Sequence, residues 1–236
     1  MSTVATPPKE GNRLFPVFFK LEQLRLLIVG GGNIGLEKLE AVLKNSPQTA
    51  ITLVAREISP HIRAIAEKTP TLHLLEKSYE TADLAAADLV ILATNDNTLN
   101  AQIRQEAHAQ RLLINVADKP ALCDFYLGAV VQKGHLKIAI STNGKSPTIA
   151  KRVKETFNEV FPAQIDDTLT YLQAIRNRIK GDFTDKVNQL NAITEVLVEA
   201  PVATRKRRKW QKIIGYILIV LVSMGVGHLL FSWWGL

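Results

Sequence analysis

Ten residues, Leu26 to Gly35, constrain the fold of this chain more than any other stretch. They read L-L-I-V-G-G-G-N-I-G, so an apolar strand runs directly into the spacing G-x-G-x-x-G at Gly30, Gly32 and Gly35. A helical pattern follows, with one apolar face made of Leu36, Leu39, Val42 and Leu43. A strand, a glycine turn and a helix N-terminus, in this order, form a dinucleotide site. The stretch therefore predicts a helix whose positive end faces a pyrophosphate.

The elements that follow predict an α/β fold with a parallel sheet of Rossmann type. Further strands are expected at Ala50–Val54, Leu72–Leu75, Asp88–Thr94 and Leu112–Val116, with helices between them and Phe15–Phe19 as a short edge strand. Strands that alternate with helices pair in parallel through right-handed crossovers. Ligands bind beyond the carboxyl ends of such strands, so three groups should share one rim: Gly30–Gly35, Thr94–Asn97 and Asn115–Asp118.

The choice between NAD and NADP depends on the residues after the second strand. About 20 residues beyond the last glycine, an acid usually binds the ribose hydroxyls, and Glu57 stands there. Arg56 beside it would instead favour a 2′-phosphate. Glu57 could also serve only as a cap for a helix that begins near Ser59 and Pro60. The residues leave these readings open.

Charge and cysteine content exclude several classes of function. The net charge is +7, but residues 1–204 hold 23 basic and 22 acidic side chains, so the excess belongs to the segment after them. Nucleic acid is therefore not expected as a partner. Cys123 is the single cysteine, which excludes an intrachain disulfide and a cysteine metal cluster. No resident metal is predicted, and a reducing, cytosolic location is the simplest expectation for the main domain.

Beyond Asp118 the pattern changes to two short strands and then helices. The strands are expected at Ala129–Val131 and Leu136–Ser141, and a polar loop follows them. Ser146 suits a helix N-cap and Pro147 the first helical position. Gly144-Lys145-Ser146 resembles the end of a phosphate loop, but the earlier glycine that such a loop requires is Ala139. Three amphipathic helices are predicted after this loop, interrupted at Pro162 and Gly181.

The last part of the chain predicts a membrane anchor. Residues 213–234 carry no Asp, Glu, Lys or Arg over a length that can cross a bilayer. Six basic residues within 205–212 precede this segment and favour the cytosolic side. Tyr216 near one end and Trp233-Trp234 at the other suit the two interfaces. A single-pass C-terminal transmembrane helix is expected, with the catalytic domain in the cytoplasm.

Several motifs together resemble the precorrin-2 dehydrogenase and sirohydrochlorin ferrochelatase module of the siroheme synthase family. The resemblance covers residues 15–198 and rests on Phe15–Phe19, Ile28–Ile34, Ala93–Asp96, Asn115–Asp118, Cys123–Phe125 and Ser141–Pro147. It implies NAD-dependent oxidation of precorrin-2 to sirohydrochlorin and, in some members, insertion of Fe²⁺ as a co-substrate. It also implies a homodimer. The membrane segment is not part of the usual module, and whether the chelatase step is retained stays open.

The sequence pattern and the resemblance together give the expected domains and site residues. The domains are a Rossmann domain at 1–117, a strand-rich dimerisation region at 118–148, a helical region at 149–200, a basic linker at 201–212 and the transmembrane helix. Asp118 is implied as the catalytic base. The cofactor-binding residues are Gly30, Gly32, Asn33, Ile34, Gly35, Glu57, Ile58, Thr94 and Asn95, and the substrate-binding residues are Thr142, Asn143 and Lys145. Lys119 is a further anion contact for a polycarboxylate substrate.

Two functions of other classes compete with this one. A non-catalytic NAD(H)-sensing module tethered to a membrane would need the same glycine loop. One helix cannot form a transport path, which argues against a role in transport. A short-chain carbonyl reductase would need a Tyr-x-x-x-Lys pair, and the chain has none.

Overall fold

A five-stranded parallel sheet forms the centre of the structure, a computed structural model that describes residues 11–198. Its strands are β1 (Arg25–Val29), β2 (Ala50–Ala55), β3 (Leu72–Glu76), β4 (Leu89–Leu92) and β5 (Leu113–Val116). They lie in the order β3-β2-β1-β4-β5, and every neighbouring pair is parallel. The helices α1 (Asn33–Asn45), α2 (Pro60–Ala66) and α3 (Asn97–Ala109) connect them. The predicted α/β class and its Rossmann-type sheet are confirmed.

Two apolar layers cover the sheet because alternate residues of each strand point to opposite faces. On one face Ile28 and Leu53 pack with Leu39 of α1 and Ile62 of α2. On the other face Leu27 and Val90 pack with Ile103 and Ala107 of α3. All of these side chains are buried. The sequences of the short central strands are therefore apolar at almost every position, because both faces of the sheet are covered.

The strand order locates the expected ligand crevice. The chain leaves β1 towards β2 and β3, and returns on the other side of β1 with β4 and β5. Such a reversal separates the loops that follow β1 and β4, which opens a crevice at their carboxyl ends. The glycine loop lies at this point.

The predicted edge strand at Phe15–Phe19 is wrong. Residues 11–20 contain no strand, and 86% of the Phe15 surface is exposed. Phe19 instead packs edge-on against Phe125, with 6.4 Å between the ring centroids. The aromatic content of the segment suggested a strand, but its backbone joins no ladder and Phe19 is anchored by its ring.

An antiparallel hairpin and one helix complete the first of two compact units, which ends at Pro162. The hairpin consists of β6 (Ala129–Lys133) and β7 (Leu136–Ile140). Helix α4 (Pro147–Val160) has the predicted cap: the Ser146 hydroxyl accepts from the Ile149 N–H at 3.2 Å, and Pro147 is the first helical residue. This helix belongs to the same compact unit as the sheet and the hairpin.

The second unit begins at Ala163 and contains two described helices, α5 (Ile165–Arg178) and α6 (Phe183–Val198). Gly181 between them has a φ of +120°, which an L-residue rarely adopts. Within residues 11–198, no helix has the length and apolarity that crossing a membrane requires. The linker predicted at 201–212 and the span predicted at 213–234 lie outside the described residues.

Candidate functional site

Gly30 and Gly35 are required by the packing of the glycine loop itself. Gly30 has a φ of +123°, and a Cβ on it would lie 2.4 Å from the carbonyl oxygen of Ala93 at the end of β4. A Cβ on Gly35 would lie 2.1 Å from the carbonyl oxygen of Gly30. The Gly30 N–H donates to the Val54 carbonyl at 2.9 Å. The loop is therefore held between β2 and β4, and α1 starts close to β1.

Gly31 has an equally strict role, which the motif spacing did not reveal. A Cβ there would meet the Glu57 carbonyl oxygen at 2.3 Å and the Ala55 Cβ at 2.9 Å. Its own carbonyl accepts from the Ser59 N–H at 2.9 Å. The loop is thus fastened to the end of β2. Three consecutive glycines were the available signal, but only contacts between distant residues show why the middle one is needed.

Gly32 is the glycine that leaves room for a ligand. Among the described residues, no atom lies within 4 Å of a Cβ built at Gly32. Gly32 is also the N-cap of α1 and offers no side chain to the first turn, which contains Asn33 and Ile34. Backbone N–H groups at a helix N-terminus attract phosphate. Open space over a glycine at this position is what the pyrophosphate of a dinucleotide would need.

The residues after β2 separate into packing and exposed groups. Ile58 is buried and belongs to the core beside α2. Ser59 caps α2 by accepting from the Ile62 N–H at 3.4 Å, so Glu57 is not the cap of this helix. Arg56 and Glu57 are both exposed next to the glycine loop. Both side chains therefore lie on the exposed surface beside the loop, where a ribose contact was expected.

The loop after β4 carries Thr94 and Asn95 to the same rim. A Cβ built on Gly30 would lie 3.3 Å from the Thr94 nitrogen. Asp96 caps α3 by accepting from the Leu99 N–H at 3.0 Å. Asn100 is fully buried, and its side chain is bonded to Thr94. No sequence motif pointed to Asn100.

Asp118 lies just beyond β5, exposed and with a φ of +59°. Aspartate tolerates this left-handed conformation better than most residues. The ammonium of its neighbour Lys119 is hydrogen-bonded to Asn97 Oδ1, so the loops after β4 and β5 are joined. The rim groups of β1, β4 and β5 are thereby brought together as predicted from the strand order.

Cys123 stabilises the turn that contains Asp118 through hydrogen bonds of its sulfur. Its sulfur accepts from the Val116 N–H at 3.2 Å and donates to the carbonyl groups of Val116 and Lys119 at 3.2 and 3.3 Å. Burial raises the pKa of the thiol, so it stays protonated. Cys123 therefore has a structural role in the turn.

The loop between β7 and α4 lies beside Pro120. A Cβ built on Gly144 would be 3.8 Å from Pro120 Cγ. The Thr142 hydroxyl is engaged within this loop, accepting from the Ser146 N–H at 3.2 Å and donating to the Ser146 carbonyl at 3.1 Å. Asn143 and Lys145 are exposed. Of the three predicted substrate contacts, these two present free surface, while Thr142 shapes the loop.

Two family models and several curated proteins match this chain. A family model described as "Putative NAD(P)-binding" matches residues 17–129, and one described as "Sirohaem biosynthesis protein central" matches residues 133–159. The siroheme synthase of Pseudomonas putida (strain W619) is 34% identical over 191 residues, which are 81% of this chain and 40% of that relative. The siroheme synthase of Psychrobacter cryohalolentis is 32% identical over 199 residues, 84% of this chain and 34% of that relative.

A solved structure has the same fold. It is described as "SirC, precorrin-2 dehydrogenase", and it superposes with a TM-score of 0.64 at 24% sequence identity, covering 84% of this chain and 98% of its own. Since the chain spans 40% or less of the two siroheme synthases, it corresponds to only part of those longer proteins.

Proposed function

We propose that this chain oxidises precorrin-2 to sirohydrochlorin with NAD⁺. The premise is that the chain belongs to the siroheme synthase family through its NAD(P)-binding and central regions. The observation that carries the proposal is the glycine loop at the sheet's crevice, with open space over Gly32. Its other glycines are fixed by contacts within the protein. Gly32 is therefore the position in this loop where a phosphate can approach the backbone.

In this proposal the loops of the rim hold the cofactor next to the substrate. When bound, NAD⁺ supplies a ring that accepts a hydride. The first turn of α1 would bind the pyrophosphate, and Glu57 and the backbone at Ile58 would bind the adenosine side. Thr94 and Asn95 would contact the cofactor from the loop after β4. Holding two reactants in contact accounts for much of the rate of such a reaction.

Asp118 takes up the proton that leaves when the macrocycle is oxidised. Removal of a hydride and a proton together accounts for the two hydrogen atoms that the substrate loses. Asp118 is exposed at the end of β5 and within one residue of a fixed ammonium group on Lys119. A positioned carboxylate that accepts this proton in the transition state is a general base.

Cationic and polar groups next to Asp118 suit a substrate rich in carboxylates. Lys119 is held by Asn97, and the loop that carries Asn143 and Lys145 lies against Pro120. Ammonium and amide groups hydrogen-bond to carboxylates, and those bonds strengthen where a charge is involved. Fe²⁺ enters the proposal only as the co-substrate of a second step that uses the same base.

The full chain incubated with precorrin-2 and NAD⁺ tests this function. We expect formation of NADH and sirohydrochlorin in equal amounts, followed by their optical absorption. Binding of NAD⁺ without turnover would refute the enzyme and favour the nucleotide-sensing alternative. Addition of Fe²⁺ after oxidation then shows whether siroheme forms.

The same proposal includes a homodimer and a membrane anchor. The hairpin β6–β7 is a two-stranded sheet that packs against α4 of the same chain. The dimerisation role of residues 118–148 is therefore supported by the resemblance to the family and not by the packing of the hairpin. The apolar segment 213–234 and its basic flank support a single-pass C-terminal anchor with the enzyme on the cytoplasmic side.

A further inference from the structure

Asn100, in the first turn of α3, is a polar side chain with no exposed surface. Both of its side-chain hydrogen bonds go to one residue, Thr94. Its Nδ2 donates to the Thr94 carbonyl at 3.0 Å, and the Thr94 hydroxyl is 2.7 Å from its Oδ1. A buried amide is costly unless its groups are bonded. Asn100 therefore fixes Thr94, which stands on the candidate cofactor rim.

The direction of each bond follows from chemistry. The Thr94 carbonyl can only accept, so the amide group that faces it must be the NH₂. Oδ1 consequently faces the Thr94 hydroxyl, and Oδ1 can only accept as well. The Thr94 hydroxyl must therefore donate its single proton to Asn100 Oδ1. What remains on the Thr94 oxygen is acceptor capacity alone.

Thr94 lies on the rim beside the glycine loop. Its backbone nitrogen is 3.3 Å from the position of a Cβ on Gly30, the first glycine of the loop. Thr94 is half-buried, so part of its surface remains available at the rim. A hydroxyl that is free to rotate can accept from a ligand donor or donate to a ligand acceptor. A hydroxyl whose proton is committed accepts only from donors.

We propose that Asn100 is a positioning residue that makes Thr94 an obligate acceptor for a hydrogen-bond donor of the bound dinucleotide. This inference rests on the proposed function. A dinucleotide offers two donors of this chemistry, the carboxamide N–H of the nicotinamide and the ribose hydroxyls. Asn100 does not touch the cofactor and acts through Thr94.

Calorimetric titration of the full chain with NAD⁺ tests the inference. Thr94→Val removes the acceptor and should raise the Kd roughly three- to tenfold, as expected for one hydrogen bond. Thr94→Ser keeps the hydroxyl and should bind as the wild type does. Asn100→Ala should raise the Kd by a smaller factor, because the freed Thr94 hydroxyl can still accept but is no longer held in place. The double variant should bind no more weakly than Thr94→Val, because both changes act on the same interaction.

Two analogues identify the donor. The 3-acetylpyridine analogue of NAD⁺ replaces the carboxamide NH₂ by a methyl group, and ADP-ribose lacks the ring altogether. If Thr94→Val weakens NAD⁺ and leaves the acetylpyridine analogue unaffected, the carboxamide is the donor. If it weakens all three ligands, a ribose hydroxyl is the donor. Either result supports the acceptor role.

Thr49→Val is the matched control. Thr49 is also fully buried, and its hydroxyl donates to the Ser46 carbonyl at 2.8 Å, but it precedes β2 at the opposite end of the sheet. This variant should lose stability and keep the wild-type Kd. If Asn100→Ala behaves in the same way, Asn100 is only structural and the inference is wrong.

Two further outcomes are decisive. Should Asn100→Ala fail to fold, Asn100→Asp replaces it: as the neutral acid, which burial favours, it donates to the Thr94 carbonyl and still accepts the Thr94 proton, so the Kd should stay near the wild-type value. A rise as large as that of Thr94→Val would overturn the assignment. An unchanged Kd for Thr94→Val in a chain that binds NAD⁺ overturns this inference alone, whereas no NAD⁺ binding by the wild type overturns the proposed function with it.

Discussion

At the scale of single residues, adjacent glycines of the loop have separable roles. Gly32→Asp places a carboxylate in open space, so the fold should persist while repulsion of the pyrophosphate abolishes NAD⁺ binding. Gly31→Ala should bind poorly for a different reason. Its Cβ meets the Glu57 backbone, at a cost of about 1–3 kcal/mol in the free energy of unfolding. Urea unfolding and NAD⁺ titration of both variants, with Gly32→Ala as the control, would separate the two effects. An unchanged NAD⁺ affinity for Gly32→Asp would contradict the site.

The proton-accepting role of Asp118 is tested by Asp118→Asn. Asparagine adopts the left-handed conformation readily, so the turn at φ +59° should be kept. Turnover should fall on the order of 10²-fold or more, from the usual contribution of a positioned base. NAD⁺ affinity and the Tm should change little. A variant that is less stable but has the wild-type rate per folded molecule would show that Asp118 only stabilises the turn.

Asp88 should make the free energy of unfolding depend on pH, and it lies outside the candidate functional site. Hydrogen bonds from the Arg25 side chain, at 3.0 and 2.8 Å, lower the pKa of Asp88 from its ordinary 3.8 to about 2. A depressed native pKa contributes stability above the unfolded value and loses it as the pH falls towards the native value. Urea midpoints between about pH 5 and pH 2 should therefore fall less steeply for Asp88→Asn than for the wild type. Because the carboxylate is about one-third exposed, salt should weaken this difference.

At the scale of elements, local patterns predicted most of the fold because each depends on neighbouring residues. The strand–glycine–helix unit, the cap at Ser146 and the break at Gly181 are all local features. Gly31 and Asn100 escaped prediction because their partners become visible only when the loops are folded together. The roles assigned to Asp118, Glu57 and the other site residues stay predictions.

The arm before β1 shows how a ring can anchor a segment that forms no strand. Phe19 is 41% exposed and contacts Phe125, whereas Phe15 is 86% exposed. Phe19→Ala should lower the free energy of unfolding by about 0.5–1.5 kcal/mol beyond its lost burial, the worth of an aromatic pair. Phe15→Ala should leave it within about 0.5 kcal/mol of the wild type. Urea unfolding of the two variants checks this, and equal losses would mean that Phe19 gains nothing from Phe125.

At the scale of the whole molecule, the C-terminal segment and the enzyme should be separable. Residues 213–234 lack charged side chains and follow a basic linker, so the full chain should stay with membranes after alkaline carbonate extraction. A variant that lacks residues 205–236 should become extractable and keep its turnover, because none of the rim residues is removed. Release of the full chain by carbonate would refute a spanning helix.

The position of β1 between β2 and β4 also affects how the chain is made. Arg25 pairs with Asp88, 63 residues later, and the Gly30 loop is bounded by both Val54 and Ala93. A ribosome releases β1, β2 and β3 well before β4. Until β4 emerges, one side of β1 has unpaired backbone groups and an uncovered apolar surface, which is the kind of surface that chaperones bind. Binding of NAD⁺ to a nascent chain would therefore report the arrival of β4.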